Sequence, residues 1–305
     1  MTSRFRCGSL GLALVFISLE AEAQQAASVP GWTVTVNIVT DFGDLGRGDT
    51  TTMRHRIADH RLRWEVVRVR KSSGPVPVDG MYVIVDMADS TMTTVMPAQH
   101  MATIGRLDRI DERRAALNLS TAEHLTQSDL EDLGDGGRIL GHATRHYRLT
   151  TEGTAAMTVA GQTCAQRVHY VTEMWLAPDV DFGPISGAMS QHIGDGTGPS
   201  DHYSKQTGVN RAVLPKGTSL RTIIRQPGAG AGGRGIAVTT TVETVELARA
   251  PLDASAFSVP AEIPTTDLMQ GMAQLPAAAR DSAMKRGAAF MSTPAGKAMC
   301  NAGGR

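Results

Sequence analysis

Apolar and polar side chains alternate strictly from Trp32 to Ile38, as Trp32-Thr33-Val34-Thr35-Val36-Asn37-Ile38. A period of two is the spacing of a strand with one face buried and the other wet. The signal recurs after Gly43, Gly46 and Gly48, where Thr50 to Ile57 begins a second strand. On a third, Leu62, Trp64 and Val66 face one way while Arg61, Arg63 and Glu65 face the other. Ser72-Ser73-Gly74-Pro75-Val76-Pro77 is a loop by composition. Further strands are expected from Ile139 to Leu149, from Val168 to Leu176, and as a pair, Gly217 to Arg225 with Ile236 to Leu247. Such closely spaced strands favour antiparallel pairing, and no strand–helix–strand alternation points to a parallel nucleotide-binding sheet.

Two stretches read as helical. From Ala98 to about Leu133, Leu107, Ile110, Ala115, Ala116 and Leu117 suggest a helix with a charged outer side. Ser120 and Glu123 then have the spacing of a capping box, and a second short helix runs through Leu125 and Leu130 to Gly134. The end, from about Thr265, is rich in Ala and Met, interrupted by Pro276 and stopped by Pro294. The expected architecture is mainly β with helical additions: a β domain over residues 24–262, a helical insertion at about 98–133, and a helical tail over 263–305.

The first 23 residues are expected to be removed. Arg4 and Arg6 form a positive n-region, Gly8 to Leu19 is almost wholly apolar, and Ala21-Glu22-Ala23 is a small-x-small cleavage pattern. The apolar run is shorter than the ~20 residues of a spanning helix. A mature protein starting near Gln24, periplasmic or secreted, follows. Two cysteines then remain, Cys164 and Cys300, and an oxidising compartment favours a disulfide between them.

Thirty basic and 30 acidic residues balance at pH 7. No basic excess favours nucleic acid or an anionic membrane surface, and no later apolar run would make this an integral membrane protein. With only 4% aromatic residues, core volume must come from Val, Ile, Leu and the 15 Met.

Nothing catalytic stands out, and no cofactor is implied. The run Gly228 to Gly235 lacks a phosphate-loop ending and joins two strands. In Gly183-Pro184-Ile185-Ser186-Gly187 the serine is one place too late for a nucleophile elbow. Asp179-Val180-Asp181-Phe182-Gly183 lacks the twelfth-position carboxylate of a calcium loop, which is Ser190 here. His142 and His146, four apart on a strand, would sit ~13 Å apart, too far to share a metal.

The informative piece is Gly80 to Pro97, read as a hairpin turning at Asp89-Ser90, with Met87 opposite Met92, Val85 opposite Thr94 and Val83 opposite Met96. One face then carries Met81, Val83, Val85, Met87, Met92 and Met96, and the other Tyr82, Ile84, Asp86, Thr93 and Val95. A methionine-lined wall adapts to apolar ligands of variable shape. Such a wall can line a lipid cavity, hold Cu(I) through thioethers, or simply pack beneath the insertion.

Several phrases in order resemble an exported bacterial family of unknown function, similar in fold to the LolA/LolB lipoprotein carriers. They are Val85-Asp86-Met87 leading to Val95-Met96-Pro97, Gly141-His142-Ala143-Thr144-Arg145-His146-Tyr147, Glu173-Met174-Trp175-Leu176-Ala177-Pro178-Asp179, Leu214-Pro215-Lys216-Gly217, and Leu252-Asp253-Ala254-Ser255-Ala256-Phe257-Ser258-Val259-Pro260. The resemblance covers Trp32 to Pro260. It implies a curled antiparallel sheet, an incomplete barrel with helices over its concave side, and a cavity for a lipid or lipoprotein acyl chain. RseB-type regulators share this kind of fold, and on that pattern the chain would instead contact an envelope protein. The long loop from Asp179 to Asp201 and the tail after Thr265 depart from the family pattern.

Overall fold

A computed structural model describes residues 28–43, 47–70, 80–109, 119–159, 162–183, 185, 215–226 and 237–268, with isolated positions 285 and 289. The expected leader over residues 1–23, Cys300, most of the loop after Gly183 and nearly all of the tail lie outside these residues. So does one partner of the expected disulfide; Cys164 itself lies on a strand, opposite Met157.

Among the described residues the alternating segments form one sheet of 12 strands. In chain order they are β1 (Ser28–Asp41), β2 (Arg47–Ala58), β3 (Arg61–Arg70), β4 (Tyr82–Asp86), β5 (Thr91–Met96), β6 (Met101–Arg106), β7 (Leu119–Ile139), β8 (His142–Val159), β9 (Gln162–Ala177), β10 (Thr218–Gln226), β11 (Val238–Asp253) and β12 (Thr265–Asp267). Their spatial order is β12-β6-β5-β4-β3-β2-β1-β11-β10-β9-β8-β7. Every neighbouring pair is antiparallel except β12 with β6. Among the described residues the sheet is not closed, and β7 and β12 are its two edges.

Among the described residues of 98–133 no helical insertion is seen, while Ile110, Ala115, Ala116 and Leu117, on which it was expected, lie outside them. Within that span the described residues form β6, two short 3-10 turns (Pro97–Gln99 and Leu107–Arg109) and the first part of β7. Ser120 and Glu123, spaced like a capping box, are rungs of the β7–β8 ladder three positions apart, opposite Thr158 and Ala155. The reason is tertiary. Most β7 residues are paired with β8 across a long hairpin, and that ladder outweighs the weak helical preference of the sequence. Thr265–Asp267, the start of the expected tail, is likewise a strand, added parallel to Ala102–Ile104. No helical layer covers either face among the described residues.

Residues directly opposite each other on paired strands share a face, so the register sorts the sheet into two sides. The apolar side carries Val34 and Val36 from β1, Ile57 from β2, Leu62 from β3, Val83 and Val85 from β4, and Val242 from β11. These residues make one buried core with Leu220, Leu107, Ala177, Val180, Phe182 and Ile185. Val180, Phe182 and Ile185 follow β9 and fold back over this side. Phe182 meets Trp32 edge-on at 5.5 Å, and the Thr218 hydroxyl donates to the Val180 carbonyl at 2.9 Å.

The other side is polar in its centre and capped at one end. After β11, a 3-10 turn (Ala254–Phe257) is capped by Asp253, whose carboxylate accepts from the Ser255 amide. The chain then crosses to β12, burying Phe257 against Ala58 and Leu252, and Ile263 against Tyr82, Ile84, Val95 and Ala102.

Candidate functional site

The β4–β5 hairpin sorts its side chains onto two faces as expected, but its register is two residues off. Val85 lies opposite Met92 and Val83 opposite Thr94. The expected pairs were Met87 with Met92, Val85 with Thr94 and Val83 with Met96. A four-residue turn, Met87 to Ser90, replaces the two-residue turn at Asp89-Ser90. Asp86 sets this length: its Oδ1 accepts from the Ala88 and Asp89 amides at 2.9 and 3.2 Å, and Ser90 takes a left-handed φ of 50°. Because strand side chains repeat every two residues, a slip of two keeps the faces while changing every partner.

The six residues of the proposed wall are not equivalent. Val83 and Val85 are deep in the main core, 3% and 0% exposed. Met87 and Met92 are half-buried at its margin, as is Met53 on β2. Met81 and Met96 are half-buried too, and Met96 pairs with Met101 on β6. Met87 and Met92 thus form a softer margin on the core, neither sealed nor fully wetted, while Met81 and Met96 are half-buried without belonging to it.

His142 and His146 make separate contacts. His142 Nδ1 is 2.9 Å from Asp179 Oδ2, and this hydrogen bond holds the Asp179 carboxyl below its ordinary range. His146 instead stacks on Trp175 with ring centroids 4.1 Å apart. Among the described residues no group of three His, Cys, Asp or Glu is placed to hold a metal ion. Asp181 accepts from the Gly183 amide at 2.7 Å, so the stretch that resembled a calcium loop is a tight turn. Its alternation turns carboxylates outward and Val180 and Phe182 into the core.

The polar side holds two clusters that the sequence reading did not single out. On β2 and β3, Arg54, Arg56 and Arg63 surround Glu65 at 3.6, 3.1 and 3.1 Å. On β8, β9 and β10, His146, Arg148 and Arg225 surround Glu173 at 3.3, 3.7 and 2.8 Å. Arg221 lies over the Trp175 ring beside them. The signal for the first cluster was legible: arginines alternate with apolar residues on both sides of the Asp59-His60 turn. Its meaning required the register, because only pairing shows which arginines meet.

Burial pushes the Glu173 carboxyl up, but the hydrogen bond and charge of Arg225, with His146 beside it, outweigh burial and hold it below its ordinary 4.5. A carboxyl depressed in the folded state stabilises above its unfolded pKa, and that contribution is lost as pH falls through the folded one. Acidification from about pH 5 downward should therefore cost the native protein stability at this site. In Arg225→Gln the opposing burial is less well offset, so urea unfolding from pH 6 to pH 3 should show a smaller loss than in the native protein. An equal loss in both proteins would mean that Arg225 does not govern this carboxyl.

No family model matches the chain, and no curated protein does. Solved structures with some likeness include PNGF-II in a C2 crystal form, 11% identical over 79% of this chain with a TM-score of 0.32. The same protein in a P21 form is 10% identical over 80% of this chain, with a TM-score of 0.33. This chain spans about a third of that protein's length, 32% and 33% in the two forms. The likeness is too slight to bear on function.

Proposed function

We propose that this chain is exported and, without catalysing a reaction, holds an apolar ligand of the lipid or lipoprotein acyl class against the apolar side of the sheet. The observation that carries this reading is the half-buried methionine margin: Met87 and Met92 pack on a core of Val and Leu without being sealed into it. Unbranched thioether side chains in that position can re-pack around an acyl chain where β-branched residues cannot. The sequence phrases resemble an exported family of unknown function that is similar in fold to the lipoprotein carriers, and this supports the reading as analogy of fold alone.

Native mass spectrometry after mild extraction should show a co-purifying acyl lipid. A Met87→Ser, Met92→Ser double variant that still unfolds cooperatively should lose about tenfold in affinity for a fluorescent acyl probe, the scale of two lost apolar contacts. Unchanged affinity removes the reading.

A second reading, an envelope protein-interaction module, is favoured by one observation. β10 pairs with β9 only over Val171–Ala177, so Gln162–Tyr170 has a neighbour only on the β8 side among the described residues. With the paired parts of β8 and β7 this makes a three-stranded arm reaching roughly 30 Å beyond β10. A photo-crosslinking residue at Thr154 should then capture one envelope protein that the same residue at Glu243 does not.

A further inference from the structure

The β2–β3 hairpin places Arg56 and Arg63 directly opposite each other on the polar side, with Arg54 opposite Glu65 two rungs away on the same face. Like charges in directly opposed positions destabilise a sheet. Within the cluster one carboxylate faces three guanidinium groups, a formal excess of about +2 among its own members, with Arg always protonated. Arg68 and Arg70 extend the same side further along β3, opposite Thr52 and Thr50.

Arg63 is held in place independently of Glu65. Its guanidinium lies 3.6 Å from the Tyr82 ring centroid, and its Nη1 donates to the Ala256 carbonyl at 3.2 Å. Arg61 lies over Phe257 at 5.0 Å. The Nε atoms of both Arg61 and Arg63 are buried and find no acceptor among the described residues. Arg54 and Arg56 are the open members, with side chains 37% and 26% exposed. The cradle thus has a fixed back wall and a solvent-facing front.

We propose that Arg54, Arg56 and Arg63 form a binding site for a phosphate-class dianion. A guanidinium presents paired N–H donors in a rigid fork that matches two oxygens of a phosphate, and such charge-assisted bonds are among the stronger ones. A dianion matches the excess charge, and the Glu65 carboxylate marks where oxyanion oxygens sit between the arginines. The site lies on the opposite side of the sheet from Met87 and Met92, so it stands whether or not an acyl chain binds there.

The test is calorimetric titration of the full chain with inorganic phosphate at low salt, alongside flotation with vesicles of phosphatidate in phosphatidylcholine. Native protein should bind saturably in at least one arm. Arg56→Gln should weaken that binding by about tenfold or more, the scale of one lost charge-assisted hydrogen bond. Arg225→Gln, which removes the same charge from the other cluster on the same side, should change it little. Arg56→Gln relieves a like-charge pair, so it should melt no lower than the native protein. Glu65→Gln removes the competing carboxylate and should tighten binding, which gives a second reading in the opposite direction. Binding to free phosphate identifies a soluble phosphate as the sufficient ligand, and binding to vesicles alone identifies a lipid headgroup. Absence of binding in both arms, unchanged binding in Arg56→Gln, or an equal loss in Arg225→Gln overturns the site.

Discussion

Leu62→Ala should lower the unfolding free energy by about 3 kcal/mol, within the range for emptying a buried leucine site. Leu62 is 1% exposed, on the apolar side of β3, directly between Ile57 on β2 and Val85 on β4. Those neighbours are 1% and 0% exposed and belong to strands paired on both sides. They cannot close over a lost isobutyl group without moving two ladders. The cost is the transfer free energy of the missing carbons plus the cavity left behind. A melting temperature about 6–12 °C below native should accompany it, at the sensitivity usual for domains of about 150–250 residues. Val67→Ala provides the control. Val67 lies on the same strand but is 47% exposed, and its loss should cost under about 0.5 kcal/mol. Equal costs for the two variants would mean that the apolar side is not the protein's main core.

Gly31→Ala should destabilise by about 2 kcal/mol or more, although it adds a single methyl group. A Cβ at position 31 would stand 2.5 Å from the Ile57 carbonyl oxygen and 2.6 Å from Leu252 Cδ1. The first contact is with backbone, which cannot rotate away. Relief requires β1 and β2 to separate locally, loosening the ladder that seats Trp32 opposite Ile57. Gly80→Ala is the useful contrast. Its φ of 78° is unfavourable for a side chain, but no atom lies within 4 Å of the added carbon. Chemical denaturation of the two variants separates steric overlap from backbone conformation. Should Gly31→Ala unfold like the native chain, β1 and β2 are not as close as described. Gly31 and Leu62 both act through Ile57, so Gly31→Ala and Leu62→Ala together should depart from additivity.

The strand pattern was readable because it is local. Trp32 to Ile38, Arg61 to Val66 and Tyr82 to Asp86 each carry their own period of two, and each forms a strand with the expected side inward. The hairpin faces survived a register error for the same reason, since alternation fixes the face and not the partner. Residues 119–133 were misread because helix and strand both tolerate their mixture of Leu, Ala, Ser and Glu. What decided them was β8, whose backbone supplies the ladder, and a window of 15 residues holds no record of it.

By itself the sequence determined a β-rich chain, the inward face of each central strand, and the breaks between strands, because these depend on side-chain periodicity and on Gly and Pro within a few residues. Only the tertiary structure decided that the strands join in one open sheet, that Val180 and Phe182 fold back over its apolar side, and that three arginines converge on Glu65. Those features depend on which distant backbone meets which, and that choice follows from the combined burial and hydrogen bonding of all 12 strands.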